Sequence, residues 1–159
     1  MVASRNFDDT FFIYHLRLLV FYFADEQIYV KAGQEQIRGV PPALTSNPEH
    51  PPLAKYLIGL WPQSPLAAGA ATLLLAGWMA RLLGRSFWLV AFSLASDIVF
   101  ARTARFAVLD VFVALFSTAA AVSYLLGRRW LSGVFWGAAF ASKFTALFPF
   151  VGFFSLPSA

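Results

Sequence analysis

Cysteine is absent from the 159 residues, which excludes a disulfide framework and any thiolate metal site. Charge is scarce as well. Asp, Glu, Lys and Arg make up 13% of the chain, where a soluble domain carries about 25%. A cleavable leader is not evident: Met1 to Thr10 holds Arg5, Asp8 and Asp9 and offers no small-residue cleavage pattern. No internal repeat or low-complexity linker interrupts the sequence. No polar tail follows the last apolar run, which closes at Phe153-Phe154-Ser155-Leu156-Pro157-Ser158-Ala159. The chain is therefore expected to be one part of a longer protein.

What is present is apolar. Hydrophobic residues account for 59% and aromatic ones for 18%, with 18 Phe and 5 Trp, and the mean hydropathy is +0.66. This composition implies an all-α polytopic membrane protein and argues against a soluble domain. The net charge of +4 follows from basic residues clustered in short loops, as the positive-inside rule expects. Nucleic-acid binding is not expected.

Hydropathy places spans at about 11–24, 66–83, 87–101, 106–127 and 130–154, with an external loop at 25–65. The first is short for a span and carries His15 and Arg17. The third carries Asp97, the fourth Asp110 one turn inside, and the fifth Lys143 and Pro149. Gly133, Gly137 and Ala141 have the spacing of a helix-packing face. The turns Leu82-Leu83-Gly84-Arg85-Ser86 and Gly127-Arg128-Arg129-Trp130 are tight and basic, so both are placed in the cytoplasm. The 25–65 loop and the 102–105 turn then face the other side.

Within the external loop, residues 25–38 read as a short helix ended by Gly39 and Pro41-Pro42. Residues 43–50 read as loop, and Pro51-Pro52 suit the first turn of a second helix. On that helix Leu53, Leu57 and Leu60 share one face, flanked by Tyr56 and Trp61, and Lys55 points away. This is the pattern of an amphipathic helix lying in the membrane interface.

The charged residues carry the functional signal. Asp25 and Tyr29 share a helix face, whereas Asp25 and Glu26 diverge by about 100°. Both acids equally suit a helix N-terminus through the macrodipole. His50 is held by Pro51-Pro52, which fits either a structural or a functional imidazole. Asp110 and Lys143 lie in or near hydrocarbon, where each charge costs about 2.5–3.5 kcal/mol. Arg102 and Arg105 fall on the side where arginine is disfavoured. Their partner is either a phosphate or a structural acid, Asp97 or Asp110. These groups converge on one membrane face and imply a polar pocket at the outer leaflet, open to an anionic substrate.

Three ordered motifs resemble those of the protein O-mannosyltransferases, polytopic glycosyltransferases of the GT-C fold. Asp25-Glu26-x-x-Tyr29 and Glu49-His50-Pro51-Pro52-Leu53-Ala54-Lys55-Tyr56-Leu57-Ile58-Gly59 look like the first external loop of that family. Ser96-Asp97 through Ala104-Arg105-Phe106-Ala107-Val108-Leu109-Asp110 looks like its second external loop and next helix. Gly137-Ala138-Ala139-Phe140-Ala141-Ser142-Lys143-Phe144-Thr145-Ala146-Leu147 looks like a later Gly-rich helix. The His-Pro-Pro-Leu block is the most specific of the three. The chain departs from the family in its short first helix, and the family's C-terminal helices and external domain are missing, so only the N-terminal part is covered.

The resemblance implies transfer of mannose, or another hexose, from a polyprenyl or dolichyl phosphate to an acceptor hydroxyl, with inversion. In the protein-modifying branch the acceptor is Ser or Thr. A phosphate leaving group is a stable anion and needs cations; the acceptor needs a base. Asp25 is expected to be that base, with Glu26 positioning it or binding a cation. Arg105 is expected to grip the lipid phosphate, helped by Lys143 and less by Arg102. Tyr29, His50 and Lys55 are expected to shape the donor site. Asp110 would orient Arg105, or share a divalent metal ion with Asp25.

Other readings remain open. A lipid-linked sugar transferase could act on lipid A or a surface glycan. A transporter or channel would line its path with such charges, against which stand their collection at one face and the lack of a pair of broken helices. A non-catalytic membrane fragment is a third. The expected location is multi-pass, in a cell membrane more than the endoplasmic reticulum, among membrane lipids. A dimer is among the open oligomeric states.

Overall fold

The computed structural model describes residues 25–154, so the expected span at 11–24 lies outside them. Among the described residues every regular element is helical. α1 (25–37) is followed by a loop with a 3-10 turn at Pro42–Leu44. α2 (Leu53–Leu60) starts directly after Pro51-Pro52 and leads to α3 (Ser64–Leu82), the longest helix. α4 (Phe87–Ala95), α5 (Ile98–Arg105), α6 (Asp110–Leu125), α7 (Arg129–Ser142) and α8 (Leu147–Phe154) complete the order.

The two basic turns share one device. Gly84 and Gly127 adopt φ of 71° and 75°, the left-handed region that glycine enters without a Cβ penalty. Behind each, two N–H groups cap the helix just ended. Gly84 and Arg85 donate to the carbonyls of Arg81 (3.1 Å) and Ala80 (2.8 Å); Gly127 and Arg128 donate to those of Tyr124 and Ser123, both at 2.9 Å. This is the Schellman arrangement, and it turns α3 back into α4 and α6 back into α7.

α3 and α6 form the centre. α3 packs against α4, α5 and α6, and α6 packs against α7. The buried face of α3 is a row of small residues, Ala68, Thr72, Ala76 and Ala80, spaced by four and therefore aligned on one side. One core cluster joins Tyr29, Ala54, Ile58, Ala68, Ala104 and the 107–112 stretch. A second joins Val113, Ala120, Trp136, Ala139 and Ala146. The first ties α1 and α2 to the start of α6.

Several expectations are corrected. The expected span at 87–101 is two helices bent by 72°. Asp97 is the reason: its Oδ1 accepts from the Phe100 N–H at 2.7 Å, so it caps the start of α5 and does not continue α4. The expected span at 130–154 is not one helix either. A continuous helix would set Trp136 and Phe153 about 25 Å apart, at 1.5 Å per residue. Their rings lie 5.9 Å apart, and those of Phe140 and Phe150 lie 5.5 Å apart. α8 therefore runs back along α7. Lys143 is extended (φ −161°, ψ 140°), and Pro149 sits in the first turn of α8, where its missing N–H costs nothing. Ser64–Leu82 is long and apolar enough to cross a membrane, and the bent α4–α5 pair qualifies if counted as one span.

Two helix faces are corrected as well. On α2 the buried residues are Ala54, Lys55 and Ile58, while Leu60 is 70% exposed. The cause is the crossing of α1 over α2 at Gly33 and Gly59. A Cβ on Gly33 would strike the Lys55 carbonyl and the Gly59 backbone, so the face turned inward is the one with least bulk. On α7 a Cβ at Gly133 or Gly137 would meet nothing. The buried face is instead Ser132, Trp136, Ala139 and Ser142. The glycine row is not a packing face among the described residues.

Candidate functional site

The charged residues gather where α6 begins and α7 ends. Asp110 is the first residue of α6 and Lys143 follows α7 directly. A carboxylate at a helix N-terminus and an ammonium at a C-terminus each complement the local dipole. The two also pair with each other. Lys143 Nζ donates to both Asp110 oxygens, at 2.9 and 2.8 Å. Asp110 is half exposed, so water screens this pair and its net worth is modest.

Tyr29 and His50 lie beside it, with ring centroids 6.0 Å apart. Tyr29 is 6% exposed. Burial, and then the nearby carboxylates of Asp25, Asp110 and Glu49, push its hydroxyl up to about 12. It stays protonated and can donate a hydrogen bond. The His50 imidazole is held below its ordinary value by partial burial and by the Lys143 ammonium, against the opposing pull of Glu49 and Asp110. It is therefore neutral at pH 7. Both rings sense Glu49 and Asp110, Tyr29 also Asp25 and His50 also Lys143, so these residues form one neighbourhood drawn from α1, the loop, α6 and the end of α7.

The loop is fixed at two points. Ser46 donates from its N–H and its hydroxyl to the two Glu35 oxygens, both at 2.7 Å. These bonds hold the Glu35 carboxyl below its usual range. Lys55 Nζ donates to the carbonyls of Asn47 and His50. Lys55 was expected to point away from its helix face toward the donor; it is wholly buried and presents no surface to a ligand. Burial also lowers the pKa of its ammonium.

Glu26 turns toward the α5–α6 connection, where Oε1 accepts from the Ala107 N–H at 3.4 Å. Asp25 is exposed at the start of the described chain, on the Tyr29 side of α1. Arg105 is exposed and Arg102 half-buried in the last turn of α5. Neither forms an ion pair among the described residues. Of the two structural acids considered for them, Asp97 caps α5 and Asp110 holds Lys143, so the expected orientation of Arg105 by Asp110 is corrected.

The donor set does not fit a metal shared by Asp25 and Asp110. Both Asp110 oxygens are engaged by an ammonium, which a cation would have to displace, and no group of three His, Asp or Glu converges among the described residues. Apolar grooves of about 750 and 410 Å³ flank α6, and none of the expected site residues lines either. The Asp110–Lys143 partnership and the Glu35–Ser46 latch were not readable in advance. Each joins residues too far apart for any local spacing rule, although both charges of the first were conspicuous in apolar sequence. Comparison with protein-family models, with curated proteins and with solved structures finds no match for this chain.

Proposed function

We propose that this chain is the N-terminal portion of a multi-pass GT-C-type membrane glycosyltransferase that moves mannose, or another hexose, from a polyprenyl- or dolichyl-phosphate donor to an acceptor hydroxyl, protein Ser or Thr foremost. The observation that carries this reading is the gathering of Asp25, Tyr29, His50, Asp110 and Lys143 at one end of the bundle, beneath a loop pinned at Glu35 and Lys55. A single displacement at the anomeric carbon needs one base for the incoming hydroxyl and cations for the outgoing phosphate. Asp25 is exposed and unbonded among the described residues, so its carboxylate is free to take that proton. Lys143 spends its charge on Asp110 yet keeps a third N–H, and Arg105, exposed in the last turn of α5, forms no ion pair among the described residues. Tyr29, protonated, donates to the sugar or to Asp25. The new C–O bond forms as the C–O bond to phosphate breaks, and the phosphate leaves as the anion.

Transfer of labelled mannose from polyprenyl-phosphate-mannose to a Ser/Thr peptide, in membranes from cells expressing the protein, tests this. Asp25→Asn is expected to lower transfer by about 100-fold or more, the scale of a lost general base, at unchanged protein level. Near-normal turnover by that variant would remove Asp25 from the role. Transfer to lipid but not peptide would move the acceptor.

A further inference from the structure

Lys55 is fully enclosed, and no carboxylate lies within ion-pair distance of it among the described residues. An ammonium buried without a direct ion-pair partner is costly, so beyond the longer-range pull of Glu49 its hydrogen bonds must answer for it. They go to two backbone carbonyls of the preceding loop, those of Asn47 and, at 2.7 Å, His50. The His50 carbonyl adjoins Pro51, whose ring already restricts the His50 backbone. Upstream, Ser46 is latched to Glu35 on α1. The stretch from Ser46 to His50 is thus bracketed by α1 on one side and α2 on the other. Glu35 fixes its start and Lys55 its end, and the His50 ring emerges from the second anchor toward Tyr29.

We infer that Lys55 is a positioning residue: its enclosed ammonium binds the Asn47 and His50 carbonyls and thereby holds the His50 ring against Tyr29, beside the Asp110–Lys143 pair. The kinetic consequence rests on the transferase reading above; the placement of the ring does not. A long unbranched stem is what reaches from the packed face of α2 to the loop, and its ammonium carries N–H donors enough for both carbonyls. Methionine keeps the stem and loses the tip.

The test is a double-mutant cycle on donor binding with Lys55→Met, His50→Ala and the pair, joined to a nuclear Overhauser measurement between the His50 and Tyr29 rings. Residues that act through one another are non-additive. Lys55→Met is expected to raise the donor KM by about tenfold, the weight of one hydrogen-bonded contact. Turnover should change little, since uniform binding affects KM alone, and the double variant should be no worse than His50→Ala. The ring contact, present in the wild type, should vanish in Lys55→Met at unchanged helicity. Additive losses, or a wild-type KM in Lys55→Met, overturn the proposal. So does a ring contact that persists in that variant or is missing from the wild type. If no variant and no wild type transfers sugar, the transferase reading fails and the ring contact still decides the role of Lys55. Should Lys55→Met lose its helicity, Lys55→Leu, which likewise lacks a donor, is read by the same criteria.

Discussion

Lys143 acts on two members of the site. It neutralises Asp110, and its charge also reaches the His50 imidazole. Lys143→Met removes the cation and frees the Asp110 carboxylate, and both changes favour protonated His50. The His50 titration midpoint, below 6.5 in the wild type, is therefore expected to rise in the variant. Nitrogen-15 spectra of the ring read it directly, because the chain has 2 His and His15→Gln identifies the other. A midpoint that stays put or falls would separate Lys143 from His50. The same shift fixes a pH dependence. A folded midpoint below the unfolded one means that the unfolded chain takes the proton first, so stability is lost as pH falls from 6.5 through the folded value. At this scale the sequence was legible for where charge interrupts apolar runs and not for how the charges pair. A charge in apolar sequence advertises itself, but its partner is set by the hairpin of α6 and α7. Lys55 misled in the opposite way, because a lysine on a helix beside leucines reads as solvent-facing until the crossing at Gly33 and Gly59 is known.

The α1–α2 crossing is the element-scale feature most open to test. Gly33→Ala would drive a methyl into the Lys55 carbonyl and the Gly59 backbone, and overpacking of this kind costs about 1–3 kcal/mol. Gly133→Ala on α7 meets nothing and relieves a mid-helix glycine, so it should be neutral or stabilising by up to about 1 kcal/mol. Denaturation of both variants checks the contrast; equal effects would contradict it. Helix positions were largely legible. The expected 25–38 and 66–83 lie close to α1 and α3 as found, because Gly39, Pro65 and Gly84 punctuate them. The two breaks were not read, although their causes were in plain view. Hydropathy sums over Asp97 and Pro149, whereas capping and a missing N–H act at one residue. A transport path would need a pair of broken helices meeting at mid-depth. Among the described residues α4–α5 is the one bent pair, and α7–α8 reverses, so two broken helices meeting at mid-depth are not found there.

For the molecule as a whole, the reversal at Lys143 decides the topology. The rings of Tyr124 and Phe153 lie 5.2 Å apart, which brings the end of α8 to the end of α6. In a cysteine-free chain, Tyr124→Cys with Phe153→Cys is expected to cross-link with a short bifunctional thiol-reactive reagent such as a bismaleimide. A straight helix from Arg129 would leave those positions about 35 Å apart, at 1.5 Å per residue, and no link would form. Global arrangement was the least legible level, since nothing in the composition of 130–154 distinguishes one long helix from two short ones. The difference is one of parity. On the membrane reading, a straight segment carries residue 154 across the bilayer, and a hairpin returns it to the side it left. On the same reading an apolar stretch of this length could be inserted either way, and Lys143 lies at the point where the two differ. On that reading the Asp110–Lys143 contact, placed at the reversal, bears on whether the number of crossings is odd or even.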